Sequence, residues 1–150
     1  MLRALFSTLR RQQRGSVTIV VASVAPVLLL LSLGGFDASS MVARQTELQS
    51  AAAEAAAIVQ ATPPTDEASR TTVRDVLKVS TGLTNDQVSV VEIYRCGTST
   101  AYVTTNNCTS GQHVSKFIRA TLTDTYSPVW TNFGIGDPVN YNVIRTVQIS

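Results

Sequence analysis

The sequence predicts an α+β protein: one long N-terminal helix, a second short helix, and a small antiparallel sheet of three to four strands. Three observations predict it. Residues 17–36 form an uncharged apolar run, residues 37–61 are rich in alanine and free of proline and glycine, and from Gln87 onward the apolar residues alternate. A chain of 150 residues holds one compact domain beside such a helix and no more.

The apolar run comes first. A bilayer core about 30 Å thick takes about twenty helical residues. Residues 17–36 supply that length, and a valine- and leucine-rich composition tolerates Pro26, Ser23, Ser32 and the Gly34-Gly35 pair. A cleavable secretory signal has a shorter core, about 7–15 residues, and ends at an A-x-A-like site. Gly34-Gly35-Phe36-Asp37 is not such a site, which argues for a retained transmembrane helix. Before Asp37 stand Arg3, Arg10, Arg11 and Arg14 and no acid. That excess places the N-terminus in the cytoplasm and the rest across the membrane. After it, ten acids face eight bases, a balance of −2. A nucleic-acid partner, which needs a basic face on the folded domain, is therefore not expected.

The helical signal continues past the span through Arg44-Gln45-Thr46-Glu47-Leu48-Gln49 and then Ala51, Ala52, Ala53, Glu54, Ala55, Ala56 and Ala57. These are strong helix formers. Small side chains on every face suit a helix packed against neighbours, either its own domain or other helices. A helix over residues 17–61 would be about 70 Å long. Pro63 and Pro64 end it. Thr65 is expected to cap the second helix, with Asp66 and Glu67 in its first turn. Val73, Val76 and Leu77 follow helical spacing, and Gly82 closes the segment.

Val88 and Val90, then Val91 and Ile93, suggest a strand whose phase slips, as at a bulge. Ala101 to Thr104 gives a weaker strand signal. Ile118, Ala120 and Leu122 alternate with Arg119, Thr121 and Thr123. Val139, Tyr141, Val143, Val147 and Ile149 share one face, with Arg145 the odd member. Between the last two strands, Trp130 and Phe133 mark an aromatic loop.

Cys96 and Cys108 are the only cysteines. In a domain outside the cytoplasm they most simply form a disulfide, worth about 3 kcal/mol for a loop of about a dozen residues. A zinc site needs two more ligands, and His113 is the sole histidine. Asn107-Cys108-Thr109 matches a glycosylation acceptor only formally. No nucleophile elbow, phosphate-cradling glycine loop or metal-ligand cluster is present. No catalytic residue, cofactor or metal is expected, and an enzyme is the least favoured class.

Arg14-Gly15-Ser16-Val17-Thr18-Ile19-Val20-Val21-Ala22, then Pro26-Val27-Leu28-Leu29-Leu30-Leu31, resembles the N-terminus of TadE/TadG-type proteins of the tight-adherence (Flp) pilus machinery. Phe36-Asp37-Ala38-Ser39-Ser40 and the stretch from Arg44 to Ala53 extend the resemblance over about residues 10–61. It implies a pilin-like fold and a minor pilin or pilus-assembly component acting in surface adhesion. Its partners would be other pilins and assembly proteins, inner-membrane lipid and a prepilin peptidase that cuts after Gly15 to leave Ser16 first. Pilins of this kind carry a glutamate five residues after the cut. Here that position is Val20, which disfavours addition beneath an existing subunit. Two readings follow: a tip or initiating subunit, or an uncut anchor.

The expected organisation is a basic cytoplasmic leader (1–15), a transmembrane helix (16–36), a helical stalk (37–62) and a periplasmic α+β domain (63–150). The helix would carry the assembly interface through Val20, Pro26, Ala51, Ala52, Ala53, Ala55, Ala56 and Ala57. A pseudopilin of a type II secretion system and a membrane-tethered binding module are the alternatives.

Overall fold

The computed structural model describes the backbone of residues 2–150 and the side chains from Val17 onward. Residues up to Ser40 form one unit, and Met41–Ser150 form a second. The first helix, α1, covers Leu2–Ala61 and so contributes to both.

In the first unit the helix carries no charge from Val17 to Phe36, and its large side chains are uncovered, among them Ile19, Leu29, Leu30 and Leu31. It is long and apolar enough to cross a membrane. The two serine hydroxyls within the apolar run are satisfied by the helix itself. Ser23 donates to the carbonyl of Ile19 (2.9 Å) and Ser32 to that of Leu28 (2.8 Å). A helix in lipid needs this, since no water is there to pair with them.

In the second unit the helical residues from Met41 onward bury one stripe. Leu48, Ala51, Ala52, Ala55 and Val59 are buried in the domain's core, at the three- and four-residue spacing that lines one helix face. Of the two expected settings for the alanine-rich segment, packing against its own domain is therefore found. Ala53 and Ala57 lie off the stripe and are exposed.

The second helix, α2, runs Glu67–Thr81. Its cap is Asp66, not Thr65: the Asp66 carboxylate accepts from the Ser69 amide at 2.7 Å. A carboxylate makes the stronger, charge-assisted cap at the positive end of the helix dipole, and the helix starts one residue later than expected. Gly82 closes α2 in the left-handed conformation, φ 69°, and donates to the Lys78 carbonyl. Val73 and Leu77 are buried, but Val76 is 46% exposed, so the packed stripe is narrower than the sequence suggested.

Three antiparallel strands follow, β1 (Val88–Cys96), β2 (Val114–Tyr126) and β3 (Val139–Gln148), in the order β1-β2-β3. The helices cover the sheet face that presents Val88, Ile118, Ala120, Leu122, Tyr141, Val143 and Val147. The expected bulge in β1 is absent. Pairing runs without interruption from Val88↔Leu122 to Cys96↔Val114. The apparent phase slip has another cause, because β1 buries different faces at its two ends. Val88 and Val90 pack toward the helices, whereas Ile93 is buried on the opposite face. There Phe117, its partner across the ladder, meets Tyr102 edge-on at 5.2 Å. The weak strand signal at residues 101–104 is a single bridge, Tyr94↔Val103.

Cys96, the last residue of β1, is bonded to Cys108 with a Cα–Cα distance of 5.3 Å. The bond closes the loop that brings Tyr102 over Phe117. Between β2 and β3, a short turn of helix, Val129–Phe133, precedes Gly134. A side chain at Gly136 would sit 3.5 Å from the Trp130 ring nitrogen.

The stripe on α1 generates a contrast that can be measured. Leu48 is fully buried, so Leu48→Ala should lower the unfolding free energy by about 2–5 kcal/mol. Ala53→Leu, five residues on and solvent-facing, should change it by less than about 0.5 kcal/mol. Chemical denaturation of both variants checks the assignment of the buried face.

Candidate functional site

Two polar clusters are built into the second unit. The first joins α1, α2 and the sheet. Arg44 donates through Nε to Asp124 Oδ2 (2.7 Å) and through Nη1 to Glu47 Oε2 (2.9 Å) and the carbonyl of Thr81 (3.0 Å). Beside it, the Tyr141 hydroxyl donates to the Met41 carbonyl at 3.1 Å. Partial burial works against the Arg44 charge, but the hydrogen bonds to Glu47 and Asp124 outweigh it and raise its pKa further. Desolvation raises that of Tyr141. This cluster ties three elements together.

The second cluster centres on Glu92 of β1. Its carboxylate accepts from Arg70 Nη1 of α2 (3.0 Å), from Lys116 Nζ of β2 (2.7 Å) and from the Tyr94 hydroxyl (2.7 Å). Burial alone would raise the Glu92 pKa. The bonds from Lys116 and Tyr94, with the Lys116 and Arg70 charges, overcome that and hold it below the ordinary glutamate range. The same bond raises the pKa of Lys116 and of Tyr94. Glu92 opens onto a cleft of about 460 Å³ between α2 and β1, lined by Arg70, Thr71, Arg74, Val90, Tyr94 and Thr104 among others.

The opposite sheet face carries a stacked set. Arg119 lies over Tyr102 (5.0 Å) and Arg95 over Phe117 (5.3 Å). These cation–π contacts press the disulfide-closed loop onto the sheet.

The residues that the sequence singles out do not gather at one place. Ala51, Ala52 and Ala55 are committed to the core, Ala56 is half-buried, and Ala53 and Ala57 remain on the surface. Val20 is 57% exposed and Pro26 lies inside the helix. The processing junction at Gly15 and Ser16 falls outside the residues whose side chains are described. His113 is exposed, in irregular backbone just before β2. The Glu92 cluster was missed because its members are scattered along the chain. One signal was present: Glu92 occupies the core-facing phase of β1, set by Val88 and Val90, where a charge needs partners.

Residues 15–61 match the family of TadE/G-like Flp pilus-assembly proteins. The match ends at the last residue of α1. It supports a Tad pilus-associated role, and the family is one of assembly rather than catalysis. The chain matches no curated protein and no solved structure.

The Glu92 cluster predicts a pH dependence. A carboxylate whose folded pKa lies below its unfolded value stabilises the fold at pH above the unfolded value and loses that contribution as pH falls through the folded one. Stability should therefore drop from about pH 4.5 downward. Glu92→Gln should lower stability at pH 7 by about 1–3 kcal/mol and flatten the acid slope. Thermal melts of both proteins between neutral and acid pH check the sign.

Proposed function

We propose that the protein is a minor pilin or anchoring component of a Tad-type pilus. It would be set in the inner membrane with its N-terminus in the cytoplasm and its domain in the periplasm, and would act in surface adhesion. The observation that carries this reading is the family match over residues 15–61. That segment is also the one that combines a bare apolar helix with a stripe buried in the domain.

Val20 argues for a place where one subunit suffices. A carboxylate at that position would neutralise the free amine of a neighbouring subunit, and valine offers no partner. A tip or initiating subunit, which needs no such pairing, fits this, as does an uncut anchor. The helix surface left for other helices is the exposed one, Ala53 and Ala57 with the side chains of residues 17–36. The domain carries a self-contained core and a cleft, and this favours the membrane-tethered binding module as the second reading.

Two experiments separate them. Deleting the protein should abolish or strongly reduce piliation and surface attachment, and a copy with residues 17–36 replaced by an unrelated span should fail to restore them. Full rescue by that copy would favour the tethered module. Mass spectrometry of the protein from cells gives its first residue: Ser16 identifies a processed subunit and Met1 an uncut anchor. A start near Asp37 or Ala38 would mean a released domain and would overturn the proposal.

A further inference from the structure

The outer edge of β1 is half finished. Tyr94 and Val103 exchange both backbone hydrogen bonds, at 2.8 and 2.9 Å, on the side of β1 away from β2. Backbone groups alternate along an antiparallel strand, so those of Glu92 and Val90 point the same way as those of Tyr94. The chain bends at Thr104 and Thr105, and the pairing that begins at Tyr94 goes no further. An unpaired stretch of strand edge is a template for another strand. Here it opens onto the cleft of about 460 Å³, whose lining runs from Val90 and Glu92 to Thr104, where the pairing stops.

The opposite wall of the cleft is α2, which presents Arg70 and Arg74 one turn apart. Arg70 is engaged with Glu92. Arg74 is not: its Nε is buried and has no hydrogen-bond partner among the described residues. A buried guanidinium nitrogen without an acceptor is unusual and calls for one. The lining charges balance, Arg70 and Arg74 against Glu67 and Glu92, but Glu92 is already neutralised by Lys116 from outside the lining as well as by Arg70, so Arg74 is the cation left to meet an acid.

From these two observations we propose that the cleft binds an extended peptide segment with an acidic side chain, which adds as a strand to β1 at Val90 and Glu92 and delivers its carboxylate to Arg74. The backbone edge supplies affinity independent of sequence, and the arginine selects the acid, as in other strand-addition sites. A guanidinium suits this task because it meets a carboxylate through two parallel donors. Val90 and Tyr94, on the same face of β1, give the neighbouring side chains of the peptide a largely apolar floor. The inference rests on the domain alone and holds whether or not the protein belongs to a pilus.

The test uses the full chain in detergent micelles and a fluorescent, end-blocked heptapeptide of alternating threonine and valine with one central glutamate. Saturable binding is expected below about 1 mM, with amide resonance shifts centred on Val90 and Glu92. Exchanging the peptide's glutamate for glutamine should weaken binding about tenfold, Arg74→Gln should do the same, and the two changes together should add little to either alone. Arg145→Gln, an exposed arginine on β3, should leave binding unchanged. Methylating alternate backbone nitrogens of the peptide should abolish it. Equal binding of the glutamine peptide, equal binding of the methylated peptide, shifts mapping elsewhere, or no saturation at about 1 mM would each overturn the proposal. The glutamine and methylated peptides are compared on the unmodified protein, so the test stands even if the Arg74 variant fails to fold.

Discussion

One face of a single helix must be buried for the domain to exist. The sheet has three strands and two faces, and its inner face presents Ile118, Leu122, Tyr141, Val143 and Val147. Helix α2 brings only Val73 and Leu77 as large buried side chains, too little to cover that face. The remainder falls to Leu48, Ala51, Ala52, Ala55 and Val59 of α1. Three of these five are alanines, and small residues on the helix are matched by large ones on the strands, the alternation that fills an interior without voids. The same helix, some twelve residues earlier, shows bare leucines and valines. Its sequence is thus written for two solvents in succession.

Electrostatics then fixes what packing leaves adjustable. Hydrophobic contact is non-directional, so a helix lying on a sheet can slide at little expense. Arg44, joined to Asp124 of β2 and to the end of α2 at Thr81, removes that freedom near one end of the sheet. Glu92, held from α2 by Arg70 and from β2 by Lys116, removes it nearer the other. Neither cluster is a simple surface pair. Glu92 and Asp124 have side chains only 12% and 15% exposed, where screening by solvent is weak and a lost partner leaves a costly charge.

Much of this plan was legible in the sequence, for physical reasons. Length and composition marked the long apolar helix because lipid imposes a single requirement, about twenty uncharged residues. The alternation in β2 and β3 gave the inner face because a strand's period is fixed at two. Pro63, Pro64 and Gly82 bounded the helices through backbone constraints that act locally. Reading failed where a distant contact decides. The slip in β1 looked like a bulge because sequence shows apolar positions without showing what covers them, and Ile93 is covered by a loop that arrives from Tyr102. The Glu92 cluster joins residues from three elements, and no local pattern announces such a meeting. The alanines of α1 were recognised as packing residues, but only the fold divides Ala51, Ala52 and Ala55 from Ala53 and Ala57.

The covalent link between Cys96 and Cys108 has a further consequence for the life of the molecule. In a reducing compartment the loop between Cys96 and Cys108 is open, and only the single backbone bridge between Tyr94 and Val103 and the ring contacts of Tyr102 keep it on the sheet. An oxidising compartment closes it. A reduced copy is therefore a looser, more protease-sensitive species than an oxidised one. The bridge serves as a date stamp, distinguishing copies that have reached an oxidising environment from those that have not.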